Sequence, residues 1–276
     1  MEKVNVREVF KQKNPKVAKW IPGFIFKYIE RIVHQKEINE IIPLIDDKYG
    51  LDYVKAIIDY FKLNIEVKGE EFIPTDGRNI FVANHPLGGL DGIVFAHVVG
   101  KKNPKIQFLV NDILMTLQNL DSIFIPVNKH GRQSMKYVRK IEETYKSDQQ
   151  ILNFPAGLCS RKIKGSIIDL EWKKSFVSKA IEHKRDIVPV HISGRNSNFF
   201  YNLSNLRGKL GIKANLEMFY LVDEVFKQKN KNIVVTFGKP ISYTKFDKSE
   251  SPRAWAKKVK DYIYTLPQDN TKAFKK

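Results

Sequence analysis

The chain has 276 residues, of which 42% are apolar and one is a cysteine; this suits a globular chain of one large or two small domains and excludes a disordered chain or an internal disulfide framework. Lys plus Arg outnumber Asp plus Glu by 48 to 30, and the net charge of +18 favours an anionic partner such as a membrane surface, a phosphorylated ligand or nucleic acid. No apolar run is long enough to span a bilayer, and no secretory signal opens the chain. Zinc-finger spacing and aromatic RNA-binding signatures are absent from the sequence, so nucleic acid is the weaker option as a partner.

The first 64 residues are predicted to be helical. Between Trp20 and Val33, apolar side chains recur at helical spacing, with Lys19, Lys27 and Arg31 beside them. A basic amphipathic helix of this kind suits an anionic bilayer surface, but such a stripe also packs against protein cores. The sequence leaves both interpretations open.

From residue 64 to residue 245, predicted strands and helices alternate. The strands cover 64–67, 80–83, 106–110, 122–127, 151–154, 187–192 and 232–237, and the helices between or before them cover 52–63, 92–99, 113–117, 135–145 and 175–182. Repeated βα units predict an α/β fold with a mainly parallel central sheet, flanked by helices, whose strand ends open onto a shared crevice. We divide the chain into an N-terminal helical segment (1–64), an α/β domain (65–245), and a C-terminal helix with a basic tail (246–276).

A strand-to-helix loop carries the residues most suggestive of chemistry. The predicted strand 80–83 ends at Asn84 and His85, and Asp91 follows after a proline and two glycines. An aspartate that holds one imidazole nitrogen protonated leaves the other nitrogen free to take a proton from a hydroxyl group. The loop alone is also consistent with a purely structural role, in which His85 is a hydrogen-bonded loop residue and Asp91 caps the next helix.

Three further strand ends carry unusual residues. They are Phe124-Ile125-Pro126-Val127-Asn128 with Lys129, His130 and Arg132; Phe154-Pro155-Ala156-Gly157-Leu158-Cys159-Ser160-Arg161; and Val188-Pro189-Val190. Together with the His85 loop, this order of four motifs resembles the phospholipid and glycerol acyltransferase family, which acylates lysophosphatidic acid and related lysolipids. The resemblance covers about residues 65–245.

The chain departs from the family pattern at three places, and two of these concern the acceptor. Five residues separate His85 from Asp91 where the family usually has four, Asn128 stands where arginine is usual, and Ala156 stands where glutamate is usual. The last two positions normally help to hold the glycerol phosphate. The variant loop looks most like the O-acyltransferase part of bacterial amino-acid-lipid synthases. That likeness implies a lyso-ornithine or lyso-glycine lipid as the acceptor, with lysophosphatidic acid as the alternative.

The resemblance also implies the site. His85 and Asp91 would be catalytic, and no metal or cofactor would be needed beyond an acyl-CoA or acyl carrier protein (ACP) thioester as donor. The implied substrate-binding residues are Asn84, Asn128, Lys129, Arg132, Phe154, Pro155, Gly157, Ser160 and Arg161. The enzyme would work as a peripheral protein on the cytoplasmic face of the membrane, without a transmembrane helix.

Two other classes remain open from the sequence. The chain could be a catalytically inactive module that binds lipid surfaces, or a basic nucleic-acid binder whose retention on DNA or RNA is salt-sensitive. Cys159 lies beside the predicted site, but proximity in sequence does not activate a thiol, and we do not predict it as a nucleophile.

Overall fold

The computed structural model describes residues 3–13, 15–75, 77–111, 115, 117–127, 135–212 and 214–276. The helices of these ranges are α1 (Val6–Lys13), α2 (Pro15–Trp20), α3 (Gly23–Ile32), α4 (Gln35–Ile45), α5 (Gly50–Phe61), α6 (Gly89–Lys102), α7 (Met135–Lys146), α8 (Ser175–His183), α9 (Asn198–Lys209), α10 (Leu221–Phe226) and α11 (Pro252–Ile263). The strands are β1 (Asn64–Lys68), β2 (Asn79–Ala83), β3 (Ile106–Asn111), β4 (Phe124–Val127), β5 (Gln150–Asn153), β6 (Arg161–Ile163), β7 (Ser166–Ile168), β8 (Asp186–Ile192) and β9 (Asn232–Phe237).

Seven strands form one sheet in the order β1-β9-β8-β2-β5-β3-β4. The five strands from β8 to β4 run parallel to one another, and β9 pairs antiparallel with β8 and parallel with β1. Because parallel neighbours end at the same edge, the residues after β2, β5 and β8 meet there. This confirms the predicted α/β fold and its mainly parallel sheet.

Strand β2 is buried along its whole length because both faces of the sheet are covered. Phe81 and Ala83 belong to the core on one face, which α5 and α6 cover, and Ile80 and Val82 belong to the core on the other, which α8 and α11 cover. The first core includes residues from 1–64, and the second includes residues from 246–276. The N-terminal helices therefore pack into the first core of the central domain, and the C-terminal segment packs into the second.

The predicted stripe on the N-terminal helices is divided between core and surface. Ile32 of the stripe is buried, and so is Phe26 beside it on α3, whereas Trp20 and Phe24 of the stripe are 87% and 72% exposed. Among the described residues, no helix is both long enough and apolar enough to cross a membrane.

Three features of the chain differ from the predicted elements or lie beyond them. The short antiparallel hairpin of β6 and β7 was not predicted, and neither was α9. The predicted helix at 113–117 lies mostly outside the described residues.

Candidate active site

His85 and Asp91 come together at the carboxyl end of β2. The His85 Nδ1 atom lies 2.9 Å from Asp91 Oδ1; the Asp91 side chain is inaccessible to solvent, while that of His85 is 17% exposed. The second carboxylate oxygen accepts a hydrogen bond from the Leu87 backbone amide at 2.8 Å, which fixes the carboxylate on the first turn of α6. Among the residues that the structure describes, the recorded contacts of His85 are with its Nδ1 atom, its backbone and its ring face, and none is a hydrogen bond to Nε2.

Asn84 fixes the start of the loop. Its side-chain amide donates to the Ile192 carbonyl at 2.9 Å and accepts from the Ile192 amide at 2.7 Å, so it extends the pairing of β2 with β8 beyond the strand end. Asn84 is one of the predicted substrate ligands, and in the structure both polar atoms of its side chain hydrogen-bond to the Ile192 backbone.

Gly88 gives the loop between His85 and Asp91 a backbone conformation that other residues rarely adopt. Its φ of 81° lies in the region that favours glycine, and it allows the chain to turn directly into α6. A Cβ atom at this position would lie 3.0 Å from the Leu221 side chain, so α10 packs closely over the turn.

The loop after β5 forms the other wall of the site. The Phe154 ring stacks on the His85 imidazole with the ring centroids 4.1 Å apart and the planes at 18°. The Ser160 amide donates to the His85 carbonyl at 2.7 Å. Two of the predicted motifs therefore contact each other directly. The Phe154 ring contacts the His85 imidazole, and the Ser160 amide contacts the His85 backbone.

Asp169 is a buried residue of the site that the sequence analysis missed. Its Oδ1 accepts from the His85 amide at 3.2 Å and from the Ser160 hydroxyl at 2.6 Å, and its Oδ2 accepts from the Trp172 indole at 2.8 Å. One carboxylate thus ties the His85 loop to the loop after β5.

The C-terminal segment holds Asp169 in turn. The Asp169 amide donates to the Tyr264 hydroxyl at 2.8 Å, and the Lys260 ammonium donates to the Asp169 carbonyl at 2.6 Å. Burial raises the pKa of the Asp169 carboxyl group, and the hydrogen bonds from Ser160 and Trp172 oppose that effect.

Opposing forces act on the His85 imidazole. Burial lowers its pKa, but the charge and hydrogen bonding of Asp91 and the charge of Asp169 outweigh burial, so the pKa is raised above its ordinary value; Arg161 works weakly in the other direction. A raised pKa makes a histidine a stronger base.

Arg161 is buried and has partners within the protein. It donates to Glu217 at 2.9 Å and to the Cys159 carbonyl at 2.7 Å, and Glu217 also pairs with Arg207. The sequence predicted Arg161 as a substrate ligand but gave no sign of Glu217, because the two are 56 positions apart.

The remaining predicted ligands lie around or beyond the described site. Pro155 is buried and Ala156 packs in the second core, while Gly157 is exposed in a turn with φ of 65°. The exposed Lys173 has its ammonium group 3.6 Å from where a side chain at Gly157 would begin, which makes it a cation at the rim that we did not predict. Asn128, Lys129 and Arg132 lie outside the described residues.

Cys159, His191 and a cluster of Glu142, Glu182 and His183 are other groups that could react or bind a metal ion. Burial raises the pKa of the Cys159 thiol, which disfavours the thiolate that a nucleophile needs. Burial lowers the pKa of His191 to about 4, and its ring meets that of Tyr264. Glu142, Glu182 and His183 lie close enough to share a metal ion, but the Lys179 ammonium ion-pairs with both carboxylates.

Two curated relatives match nearly the whole chain. A protein from Bacteroides thetaiotaomicron, named lyso-glycine lipid O-acyltransferase, is 48% identical over 95% of this chain and 97% of its own length. A protein of the same name from Phocaeicola vulgatus is 46% identical over 95% of both chains.

A solved structure shares the fold of this chain, and the profile of a sequence family matches nearly all of it. The crystal structure of the 1-acyl-sn-glycerophosphate acyltransferase from Thermotoga maritima superposes with a TM-score of 0.50 at 18% identity, covering 90% of this chain and 95% of that one, and shares its fold. The sequence profile of the acyltransferase family matches residues 8–271. The predicted enzyme class is confirmed: the chain belongs to the acyltransferase family.

Proposed function

We propose that this enzyme transfers a fatty acyl chain from a thioester donor to the free hydroxyl group of lyso-glycine lipid. The observation that carries the choice of acceptor is the full-length likeness, at 48% identity, to a protein named for that reaction. Lyso-ornithine lipid is the closest chemical variant of this acceptor, and lysophosphatidic acid is the alternative that the fold neighbour's name suggests.

The proposed chemistry centres on His85. Its Nε2 takes the proton from the acceptor hydroxyl, and the Asp91 carboxylate 2.9 Å from Nδ1 stabilises the imidazolium that forms. The alkoxide oxygen attacks the thioester carbonyl, the C–S bond breaks, and the proton on His85 passes to the departing thiolate. Acyl transfer then needs no covalent acyl-enzyme.

We propose acyl-ACP or acyl-CoA as the donor, since either supplies the thioester. Both carry phosphate on the pantetheine arm, and the exposed Lys173 beside Gly157 is a cation positioned to meet it. Lys129 and Arg132 remain proposed ligands of the same kind, and so do the ring of Phe154 and the turn at Gly157 for the acyl thioester.

We propose that the enzyme binds the cytoplasmic face of the membrane as a peripheral protein. Trp20 and Phe24 are largely exposed on the N-terminal helices, and the cations of Lys19, Lys27 and Arg31 lie beside them. Aromatic rings flanked by cations suit the interface of an anionic bilayer.

A parallel acceptor assay tests the proposed reaction. Lyso-glycine lipid, lyso-ornithine lipid and lysophosphatidic acid are offered in the same mixed micelles with one acyl donor, and kcat/KM is measured for each. We expect lyso-glycine lipid to have the highest kcat/KM, with about tenfold or more over lysophosphatidic acid, because Asn128 and Ala156 stand where the family usually has the arginine and glutamate that help to hold a glycerol phosphate. A higher kcat/KM for lysophosphatidic acid would reverse the choice of acceptor and leave the enzyme class unchanged.

A further inference from the structure

A second exposed apolar surface lies on α9 and the short turn that follows it. It consists of Phe199, Leu206, Leu210, Ile212, Leu216 and Phe219, which we call the α9 surface, and its largest exposures are 65% at Leu210 and 56% at Phe219. A group of exposed apolar side chains of this kind often marks a site of interaction with another molecule.

Helix α9 is apolar on two faces. Phe200, Tyr201 and Ser204 are buried, while Phe199, Leu206 and Leu210 project from the opposite side. The spacing of seven and then four residues places these three side chains in one stripe along the helix. Packing among the described residues accounts for the first face and leaves the three side chains of the stripe 50%, 55% and 65% exposed.

Buried contacts connect the α9 surface to the loops of the proposed active site. In the 3₁₀ turn Leu216–Tyr220, Leu216 and Phe219 face outward, while Glu217 points inward and is fully buried. Glu217 pairs with Arg161, directly after the loop whose Ser160 binds the His85 carbonyl. Leu221, the next residue after the turn, packs over Gly88 of the His85 loop. Contacts through Glu217 and Leu221 therefore connect this surface to the proposed catalytic loop.

The same surface continues onto the N-terminal helices. Tyr220 shares a hydrogen bond of 2.7 Å with the Tyr28 hydroxyl of α3, and its ring meets that of Phe199 with centroids 4.9 Å apart. Arg31 of α3 is the cation that lines the same depression as Phe199 and Tyr220, and Lys209 is exposed on α9. Apolar side chains bordered by cations match an acyl-chain boundary covered by anionic headgroups.

We propose that the α9 surface docks on an anionic bilayer and receives the lysolipid from it, so that the acceptor passes from the membrane over the 3₁₀ turn to His85. The choice of a lysolipid as the passenger rests on the proposed function. The choice of a bilayer as the docking partner rests on the exposed stripe, the bordering cations and the continuity with α3.

The test measures vesicle binding without any acceptor. A Leu206→Ser/Leu210→Ser variant is compared with the parent and with Val138→Ser/Ile181→Ser, a matched control that removes two partly exposed apolar side chains on α7 and α8. Sedimentation is measured with vesicles of phosphatidylcholine alone and of phosphatidylcholine with phosphatidylglycerol. We expect about tenfold weaker partitioning of the α9 variant onto the anionic vesicles and parent-like partitioning of the control, because two anchoring side chains no longer reach the acyl region.

Two outcomes would overturn the proposal. One is parent-like partitioning of the α9 variant at an unchanged melting temperature. The other is loss of self-association of the α9 variant in sedimentation velocity with vesicle binding unchanged, which would assign the surface to a second copy of the chain. Because no acceptor is present, a wrong choice of lysolipid would leave this result unaffected.

Discussion

Two buried carboxylates act on the His85 loop in different ways. Asp91 contacts the imidazole itself, while Asp169 accepts from the His85 backbone amide and contributes only its charge to the ring. Asp91 therefore governs the tautomer and Asp169 the position of the loop. Both raise the pKa of His85, the proposed base, so we expect both to affect the pH dependence of activity in the same direction.

We expect Asp169→Asn to shift the acid limb of the pH profile. His85 must be neutral to accept a proton, so kcat/KM falls as the pH drops through the raised pKa of His85. Removing the Asp169 charge lowers that pKa, while Asp91 still raises it and Arg161 still opposes it. The acid limb of the kcat/KM profile then moves to lower pH. Lys260 and Tyr264, which hold the Asp169 backbone, stay in place.

The matched control for this shift is Glu171→Gln. Glu171 is an exposed carboxylate two positions away that pairs with Arg253, and losing its charge leaves the surroundings of His85 unchanged. Equal acid limbs in Asp169→Asn and the parent would show that Asp169 serves the fold alone.

The sequence could predict His85 and Asp91 because one loop carries both and because local turn chemistry places them together. Asp169 is 84 positions from His85, and its neighbours form no pattern that marks a functional residue. Glu217 likewise acquires its role only when α9 folds back onto the β6–β7 hairpin. Long-range polar contacts of this kind depend on tertiary packing, which periodicity does not reveal.

At the scale of elements, the turn between β2 and α6 depends on one glycine. We expect Gly88→Ala to destabilise the protein by about 1–3 kcal/mol, because an alanine is strained at a positive φ and its Cβ would press on Leu221. Thermal unfolding measures the loss. The shift of Asp91 relative to His85 should reduce activity in the same variant.

Gly89→Ala is the control for this prediction. Gly89 is the next residue, and a Cβ atom there would have no described neighbour within 4 Å. The variant should unfold at the parent's temperature or slightly above it, since alanine favours a helix start over glycine. Equal melting temperatures of the two variants would contradict the strain that we assign to Gly88.

The central strands of the large sheet were predictable because their residues are apolar on both faces and turn residues bound them, and the edge strand β1 because polar and apolar residues alternate along it. The β6–β7 hairpin was not, since its strands have three residues each and its sequence is rich in lysine. Helix α9 carries apolar residues on two faces among asparagines and serines, so no single stripe marks it.

At the scale of the molecule, the C-terminal segment belongs to the support of the site. Helix α11 packs Trp255, Val259 and Ile263 into the second core, and Lys260 donates to the Asp169 carbonyl. The N-terminal helices and α9 contribute the exposed apolar face on the other side of the same loops. The proposed base at the sheet edge thus has its loop tied to a buried carboxylate, and contacts through Glu217 and Leu221 connect the neighbouring loops to the proposed membrane face.

The measurement that tests this account most directly is acyl transfer to lyso-glycine lipid by purified His85→Ala. We expect kcat/KM to fall by about 10²–10⁴ with an unchanged circular dichroism spectrum, because the variant lacks the base that accepts the hydroxyl proton. His97→Ala, on helix α6 beyond Asp91, is the matched control and should retain the parent's rate. Turnover by His85→Ala at the rate of the parent would contradict the assignment of His85 as the base.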